Sequence, residues 1–193
     1  RAYLRLPEAV MDYEVDVRRF LDAEAALGDR GLAMLDTADA LCHAAELFAM
    51  EDYLLIAFSE PDLFHALLQR FERFVQRTAD AAARLAPGRL WRLVGPEFAC
   101  EPYLPPRLFS EYVVRYDEPV IRTIQASGGW ARLHCHGRIR KVMDQVAAMR
   151  PDALDPCEPS PQGDVEMAWL RREYGRDIVF FGNLEVSDIE TMP

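Results

Sequence analysis

The alternation of short apolar segments with amphipathic segments from residue 89 onward is the feature that most limits the fold of this chain. The apolar segments have the length of strands, and each one but the last is followed by a segment with helical spacing of its apolar residues. Repeated strand–helix units predict parallel strands joined by helical crossovers. The predicted strands are 89–95, 130–136, 152–158 and 177–185, and the predicted helices are 105–129 (interrupted at Pro119), 138–149 and 163–175.

The first half of the chain predicts one more strand among helices. Residues 31–41 are apolar with turn-like neighbours and read as a strand followed by its loop, whereas 7–27 and 44–59 have helical composition. The segment 60–86 has the clearest helical pattern, because its apolar residues recur at 3.6-residue spacing and Pro87 and Gly88 end it. That apolar stripe consists of Leu63, Leu67, Phe71, Phe74, Val75 and Ala82.

Two architectures accommodate such a pattern, a (β/α)8 barrel and an open, doubly wound sheet. A nucleotide-binding sheet of the second kind carries a glycine-rich loop after a strand, and the sequence has no such motif. Polar residues instead follow several different strands, as they do at the catalytic end of a barrel. We therefore predict that residues 1–193 form one α/β domain, a TIM-type barrel that is incomplete because only about five strands are recognisable.

The composition argues against several classes of partner. The formal net charge of −10 disfavours nucleic acid and anionic membrane surfaces, which require clustered lysine and arginine. No apolar run approaches the roughly 18 residues that span a bilayer. The four cysteines are few and widely spaced, which is typical of a protein of the reducing cytoplasm. The chain begins with arginine and stops where a further helix is predicted, so we expect it to be a fragment.

The stretch RLHCHGRIRK, residues 132–141, contains two of the four histidines. Side chains alternate along a strand, so His134 and His136 are predicted to share one face and Cys135 the other. Two imidazoles with one carboxylate form a common zinc site, with Glu158, Glu97 or Glu101 as the carboxylate. The alternatives are a substrate-binding or acid–base pair and a purely structural pair.

The remaining candidates each have a functional and an ordinary interpretation. Glu97 and Glu101 lie in a proline-rich loop that could hold a functional group, although exposed glutamates are usually only solvated. Arg138 could bind a substrate carboxylate with two hydrogen bonds or be solvated at a helix start. Asn183 could bind a ligand or serve as a turn residue. Asp36 is one of the polar residues predicted to lie just after the first strand, and it is a candidate for substrate binding.

The motifs together resemble the uroporphyrinogen decarboxylase family. The resemblance covers most of the chain and is strongest in GPEFACEPYLPPRLFSEYVVRYDEPVI, HCHGRI, DALDPCEPSPQGDV and IVFFGNLE. It implies a (β/α)8 barrel with its site at the carboxyl ends of the strands. The family contains cofactor-free porphyrinogen decarboxylases and zinc-dependent methyltransferases that move methyl groups between corrinoid proteins and thiols.

In the methyltransferase branch a His-x-Cys-Gly motif follows the long helix. His134 matches the histidine ligand of that motif, and His136 stands at the position of its cysteine, which implies altered ligation of a zinc ion. The segments DTADALCHAAEL and LVGPEFACEPYL resemble neither of the two characteristic decarboxylase stretches. The resemblance therefore favours methyl transfer over decarboxylation.

Three functions follow as hypotheses. The first is an enzyme that uses a metal bound by His134 and His136 to transfer a methyl group among a small donor, a corrinoid and a thiol, with Glu97, Glu158 and Arg138 as catalytic residues and Glu101, Asn183 and Asp36 as substrate contacts. The second is a cofactor-free carboxy-lyase. The third is a binding protein for a corrinoid or a small acid. A corrinoid protein is an expected partner, and unpaired strand edges would favour oligomers.

Overall fold

The computed structural model describes residues 1–8, 14–183 and 186–191, and the side chains of 186–188 are not described. Nine α-helices and five strands occur in this part of the chain. The strands are β1 (Met34–Ala38), β2 (Leu90–Val94), β3 (Trp130–His134), β4 (Ala153–Asp155) and β5 (Val179–Phe180). The helices are α1 (Arg18–Leu27), α2 (Ala40–Ala45), α3 (Met50–Ser59), α4 (Pro61–Leu85), α5 (Pro106–Phe109), α6 (Arg115–Ala126), α7 (Met143–Met149), α8 (Met167–Glu173) and α9 (Val186–Thr191).

All five strands form one parallel sheet in the order of the sequence, β1-β2-β3-β4-β5. The prediction of an α/β fold with parallel strands is confirmed. Over the described residues the sheet is not closed, and β1 and β5 each pair with one neighbour only. A (β/α)8 barrel is compatible with this sequential order, because neighbouring strands of a barrel also follow one another along the chain.

The two faces of the sheet differ in character. On one face the row Leu93, Leu133 and Leu154 is completely buried. Burial of such a side chain contributes about 1.5–3 kcal/mol, so this row anchors the sheet to the helices. The opposite face carries a charged row, in which Asp36 and Arg92 stand beside Arg132. The next row along that face brings His134 beside Asp155 at the carboxyl ends of the strands.

Helix α4 provides the largest helical surface against the core. The predicted stripe is confirmed, because Leu67, Phe71, Val75 and Ala82 are all buried. Pro61 lies in the first turn, where its missing N–H needs no partner, and Ala86 follows the end of the helix. The helix packs against α2 and α6 and thereby holds the segments that follow β1 and precede β3.

Several predicted boundaries are corrected. The loop expected after β1 is helix α2, and the helix predicted over 44–59 is divided between α2 and α3. The helix predicted over 7–27 contains α1 only from Arg18, and part of its first half lies outside the described residues. The last predicted strand is limited to Val179–Phe180 within the described residues, and 184–185 lie outside them.

The helical region before β3 is interrupted at a different place from the one predicted. A π-helical turn over Ser110–Val114 separates α5 from α6, whereas Pro119 lies inside α6. The break therefore comes from the wider π turn, a feature that often marks functional regions and has no simple sequence signature.

In the described part of the chain no helix is both long enough and apolar enough to span a bilayer.

Candidate functional site

Two imidazole rings meet where the parallel strands end. His134 is the last residue of β3, and the centroids of its ring and that of His136 are 4.7 Å apart with the planes nearly perpendicular, at 84°. The predicted convergence of the two histidines is confirmed, although its premise was only partly right. The strand ends at His134, so His136 reaches its neighbour from the following loop rather than by strand alternation.

Each imidazole is held through its Nδ1 atom by a carboxylate from the next part of the sheet. His134 Nδ1 lies 3.0 Å from Asp155 Oδ2, and His136 Nδ1 lies 2.9 Å from Glu158 Oε1. An ionised carboxylate only accepts hydrogen bonds, so Nδ1 carries the hydrogen in both rings. Nε2 is then the nitrogen with a lone pair for a ligand, which is the arrangement found around metal-bound histidines.

The two carboxylates are fixed in different ways. Asp155 forms a two-pronged ion pair with Arg132, whose Nε and terminal nitrogen bind its two oxygens. Burial works to raise the pKa of Asp155, but hydrogen bonds from Arg132 and His134 outweigh it and lower the pKa to about 2. Glu158 instead accepts the backbone N–H of Gly137 at 2.7 Å. Both carboxylates therefore have a partner on each oxygen.

The loop that carries Glu158 depends on a glycine. A Cβ atom on Gly163 would lie 2.1 Å from the carbonyl oxygen of Glu158, so no other residue fits this turn without displacing the backbone. The Val165 N–H donates to that same carbonyl at 3.3 Å and closes the loop. The helix predicted over 163–175 begins only at Met167, and Asp164 in the preceding loop accepts the backbone N–H of Arg140.

A cavity of about 340 Å³ opens beside His136. Its wall combines apolar side chains, which exclude water, with a few polar groups, as is typical of small-molecule sites. A larger concavity, about 910 Å³, lies at the opposite ends of the strands around Trp130 and Asp152, far from the histidine pair. The smaller cavity is the candidate site, since parallel α/β folds bind ligands at the carboxyl ends of strands. Its lining residues include Met50, Glu97, Phe98, Glu101, Tyr103, His136 and Arg138.

Three of the other predicted site residues lie at this cavity. Glu97 lines it and accepts the Gly95 N–H at 3.0 Å. Glu101 lines it in an ion pair with Lys141, at 2.8 Å. Arg138 also lines it, with an exposed side chain, and its backbone forms an isolated bridge with Glu101.

The structure does not bring the remaining two predicted residues to this cavity. Asp36 lies within β1 and forms an ion pair with Arg92, at 2.6 Å, on the charged face of the sheet. Asn183 is exposed in the segment after β5. Neither of them lines the cavity beside His136.

Comparisons with known proteins identify a fold but no family. No protein-family model matches the chain, and no curated protein matches it. Among solved structures it is similar to a methyltransferase from Methanosarcina mazei, with a TM-score of 0.68 over 83% of this chain and 13% sequence identity. The chain spans 45% of that methyltransferase, less than half of its length. At this identity the likeness concerns the fold.

The described residues provide two imidazoles for a metal ion rather than a complete ligand set. No group of three or more histidine, cysteine, aspartate or glutamate side chains in the described ranges is arranged to hold a metal. Glu158 was one of three candidates for the carboxylate ligand, but it binds Nδ1 of His136 and so supports the ring from the side opposite Nε2. A zinc ion would thus take His134 and His136 from this part of the chain and its other ligands from elsewhere.

Sequence reasoning missed a pair of buried acids behind the cavity. Asp39 and Asp117 are both almost completely buried, and they are hydrogen-bonded to each other. Asp39 caps α2 by accepting the Cys42 N–H. Burial raises the pKa of Asp39 to about 8, with Glu97 contributing, and it raises the pKa of Asp117 well above its usual value. At neutral pH burial therefore keeps both carboxyls mainly in the protonated, uncharged form.

Two buried cysteine thiols also lie in contact with each other. Cys100 Sγ lies 3.3 Å from Cys135 Sγ, and both residues are buried. The hydrogen bond to Cys100 and burial raise the pKa of Cys135 well above its usual value, so it stays a neutral thiol. The prediction that Cys135 points away from the two imidazoles into the core agrees with this burial.

Proposed function

We propose that this chain is part of a methyltransferase that moves a methyl group between small molecules, with His134 and His136 at its centre. The observation that carries the proposal is the pair of imidazoles at the strand ends, each fixed through Nδ1 by its own carboxylate. The fold likeness to a methyltransferase supports it.

We further propose that the five strands belong to a (β/α)8 barrel of the uroporphyrinogen decarboxylase type. Support comes from the strictly sequential parallel order and from the family-like motifs around His134 and Glu158. In such a barrel the charged face of the sheet, with Arg92 and Arg132, is the interior face. The donor in this proposal is a small methylated compound or a corrinoid carried by a partner protein.

Zinc is the cofactor that we propose, with Nε2 of His134 and of His136 as two of its ligands. When bound, zinc would lower the pKa of an acceptor thiol and so favour the nucleophilic thiolate. Asp155 and Glu158 hold the two rings in a single tautomer and orientation. The two imidazoles are therefore held in the orientation for metal binding by contacts within this chain.

The cavity beside His136 is where we place the small substrate. Met50, Phe98 and Tyr103 would cover its apolar part and exclude water. Arg138 would hold an anionic group of the substrate through its guanidinium. Glu97 would face the reacting end as a polar contact, and Glu101, already paired with Lys141, would fix the loop.

A zinc titration tests the proposal directly. We expect wild-type protein to bind zinc and His134→Ala and His136→Ala to lower zinc affinity by at least 10-fold, within the range found for lost metal contacts. His65→Gln is the matched control, since His65 binds Tyr116 on α6, away from the strand ends. Methyl transfer from methylcobalamin to a small thiol should fall in parallel. Unchanged zinc affinity in both alanine variants would contradict the metal assignment.

A cofactor-free carboxy-lyase is the second candidate. It is favoured by one observation, the presence of Arg138 and His136 on the same cavity wall, where they could bind a carboxylate and donate a proton. In that case activity on a carboxylated substrate would persist in the presence of a chelator and would require Arg138. Loss of that activity on chelation would exclude the lyase.

A further inference from the structure

We infer that Arg132 is a positioning residue that acts through Asp155 to make Nδ1 the hydrogen-bond donor of His134 and Nε2 its ligand-binding atom. The inference depends on the proposed function in one respect only, namely that His134 binds a ligand. Arg132 does not line the cavity beside His136, and its link to the imidazole of His134 runs through Asp155.

The guanidinium of Arg132 is held from three sides. Its Nε and one terminal nitrogen bind both oxygens of Asp155, its other terminal nitrogen lies 3.8 Å from the sulfur of Met34 on β1, and it stacks over the ring of Phe181 at 4.8 Å. These partners come from β1, β4 and the segment after β5. A group that three elements hold cannot rotate freely, so it imposes one orientation on the carboxylate.

Asp155 transmits that orientation to His134. Its Oδ2 atom accepts from Arg132 and also lies 3.0 Å from His134 Nδ1, and its side chain is only 8% exposed. With both oxygens bound by the planar guanidinium, the carboxylate plane is set and Oδ2 faces the ring. The imidazole of His136 is not oriented by an arginine–carboxylate pair. Its partner Glu158 accepts the Gly137 N–H and has no arginine partner in the described ranges.

The chain contains a close internal match for this ion pair. Arg92 binds Asp36 through the same two nitrogens, at 2.9 and 2.6 Å, one strand away on the same face of the sheet. Asp36, however, contacts no histidine. Replacing Arg92 therefore removes an arginine–carboxylate pair from the same face of the sheet but leaves the contact between Asp155 and His134 in place. The Arg92 variant is for this reason the matched control.

The test is ¹⁵N NMR of the histidine rings in metal-free protein, which identifies the nitrogen that carries the hydrogen. In the wild type we expect Nδ1 to be hydrogen-bearing and Nε2 bare in both rings. In Arg132→Met at the same pH, the hydrogen of the His134 ring should move from Nδ1 to Nε2. The Nε2 signal should shift toward the hydrogen-bearing position and the Nδ1 signal toward the bare position, and His136 should stay unchanged. Arg92→Met should change neither ring. Arg132→Lys keeps the charge but not the two-pronged contact, and it should give an intermediate shift.

The outcomes separate this inference from the proposed function. Because the measurement needs neither metal nor substrate, it is informative even if methyl transfer is never observed. A His134 signal in Arg132→Met identical to that of the wild type overturns the inference, and so does an equal shift in Arg92→Met. If Arg132→Met does not fold, the lysine variant decides, and an unchanged His134 ring in it overturns the inference.

Discussion

The replacement Asp117→Asn should stabilise the protein at neutral pH by removing a buried acid that costs free energy to keep protonated. In the wild type the Oδ2 atoms of Asp39 and Asp117 are buried without a hydrogen-bond partner. An asparagine amide of the same shape supplies a permanent N–H donor to Asp39. Glu97 of the cavity wall adds a like charge that raises the pKa of both acids.

The magnitude follows from the raised pKa. An unfolded aspartate has a pKa of about 3.9, whereas burial raises the pKa of Asp39 to about 8 and that of Asp117 well above its usual value. The contribution of each protonated acid to stability is therefore fully present below about pH 4 and is lost as the pH rises toward 8. At 1.36 kcal/mol per unit over the roughly three units up to pH 7, the linkage amounts to about 4 kcal/mol. The asparagine variant should recover about 1–3 kcal/mol of it at pH 7.5, because Asp39 still has to be buried.

The assay is urea unfolding of both proteins at pH 4.5 and pH 7.5, followed by circular dichroism. We expect the variant to be more stable at pH 7.5 and nearly equal at pH 4.5. Asp62→Asn, which alters an exposed acid in the first turn of α4, serves as the control and should cost a few tenths of a kcal/mol at both pH values. A variant that loses stability at pH 7.5, or gains equally at both pH values, would contradict the raised pKa of this acid pair.

Two further predictions concern the same region. Gly95→Ala should lower stability by about 3 kcal/mol or more in urea unfolding, because its Cβ would lie 1.9 Å from Asp39 Oδ1 and the backbone φ is +136°. Gly88→Ala is the control. Its Cβ would have only one neighbour, at 4.0 Å, so it should lower stability by about 1 kcal/mol. Cys100 and Cys135 should react with an aromatic disulfide reagent at pH 8 at least 100-fold more slowly than a free thiol, because both are buried and the pKa of Cys135 is raised. Rapid modification of the folded protein would show that this thiol pair is accessible.

The order of elements could be predicted because it depends on local patterns. The apolar stripe of α4, the stops at Gly28 and Gly88, and the short apolar runs that became β2 and β3 are all visible within about 25 residues. Boundaries were less well predicted where tertiary packing shortens or divides an element. Asp36 is an example, since it was assigned to the strand ends but lies within β1, paired with Arg92.

The amino-acid sequence alone determined the parallel α/β class and the position of the two histidines, because the spacing of apolar residues within a short stretch distinguishes a strand from a helix. The tertiary structure decided which carboxylate holds which ring, and it joined Arg132 to Asp155 and Asp39 to Asp117. Those contacts join residues more than 20 positions apart, and a shift of one residue in the register of β3 and β4 would abolish the contacts of Asp155 with Arg132 and His134. Register is set by the packing of the whole sheet against its helices, which no short stretch of sequence encodes.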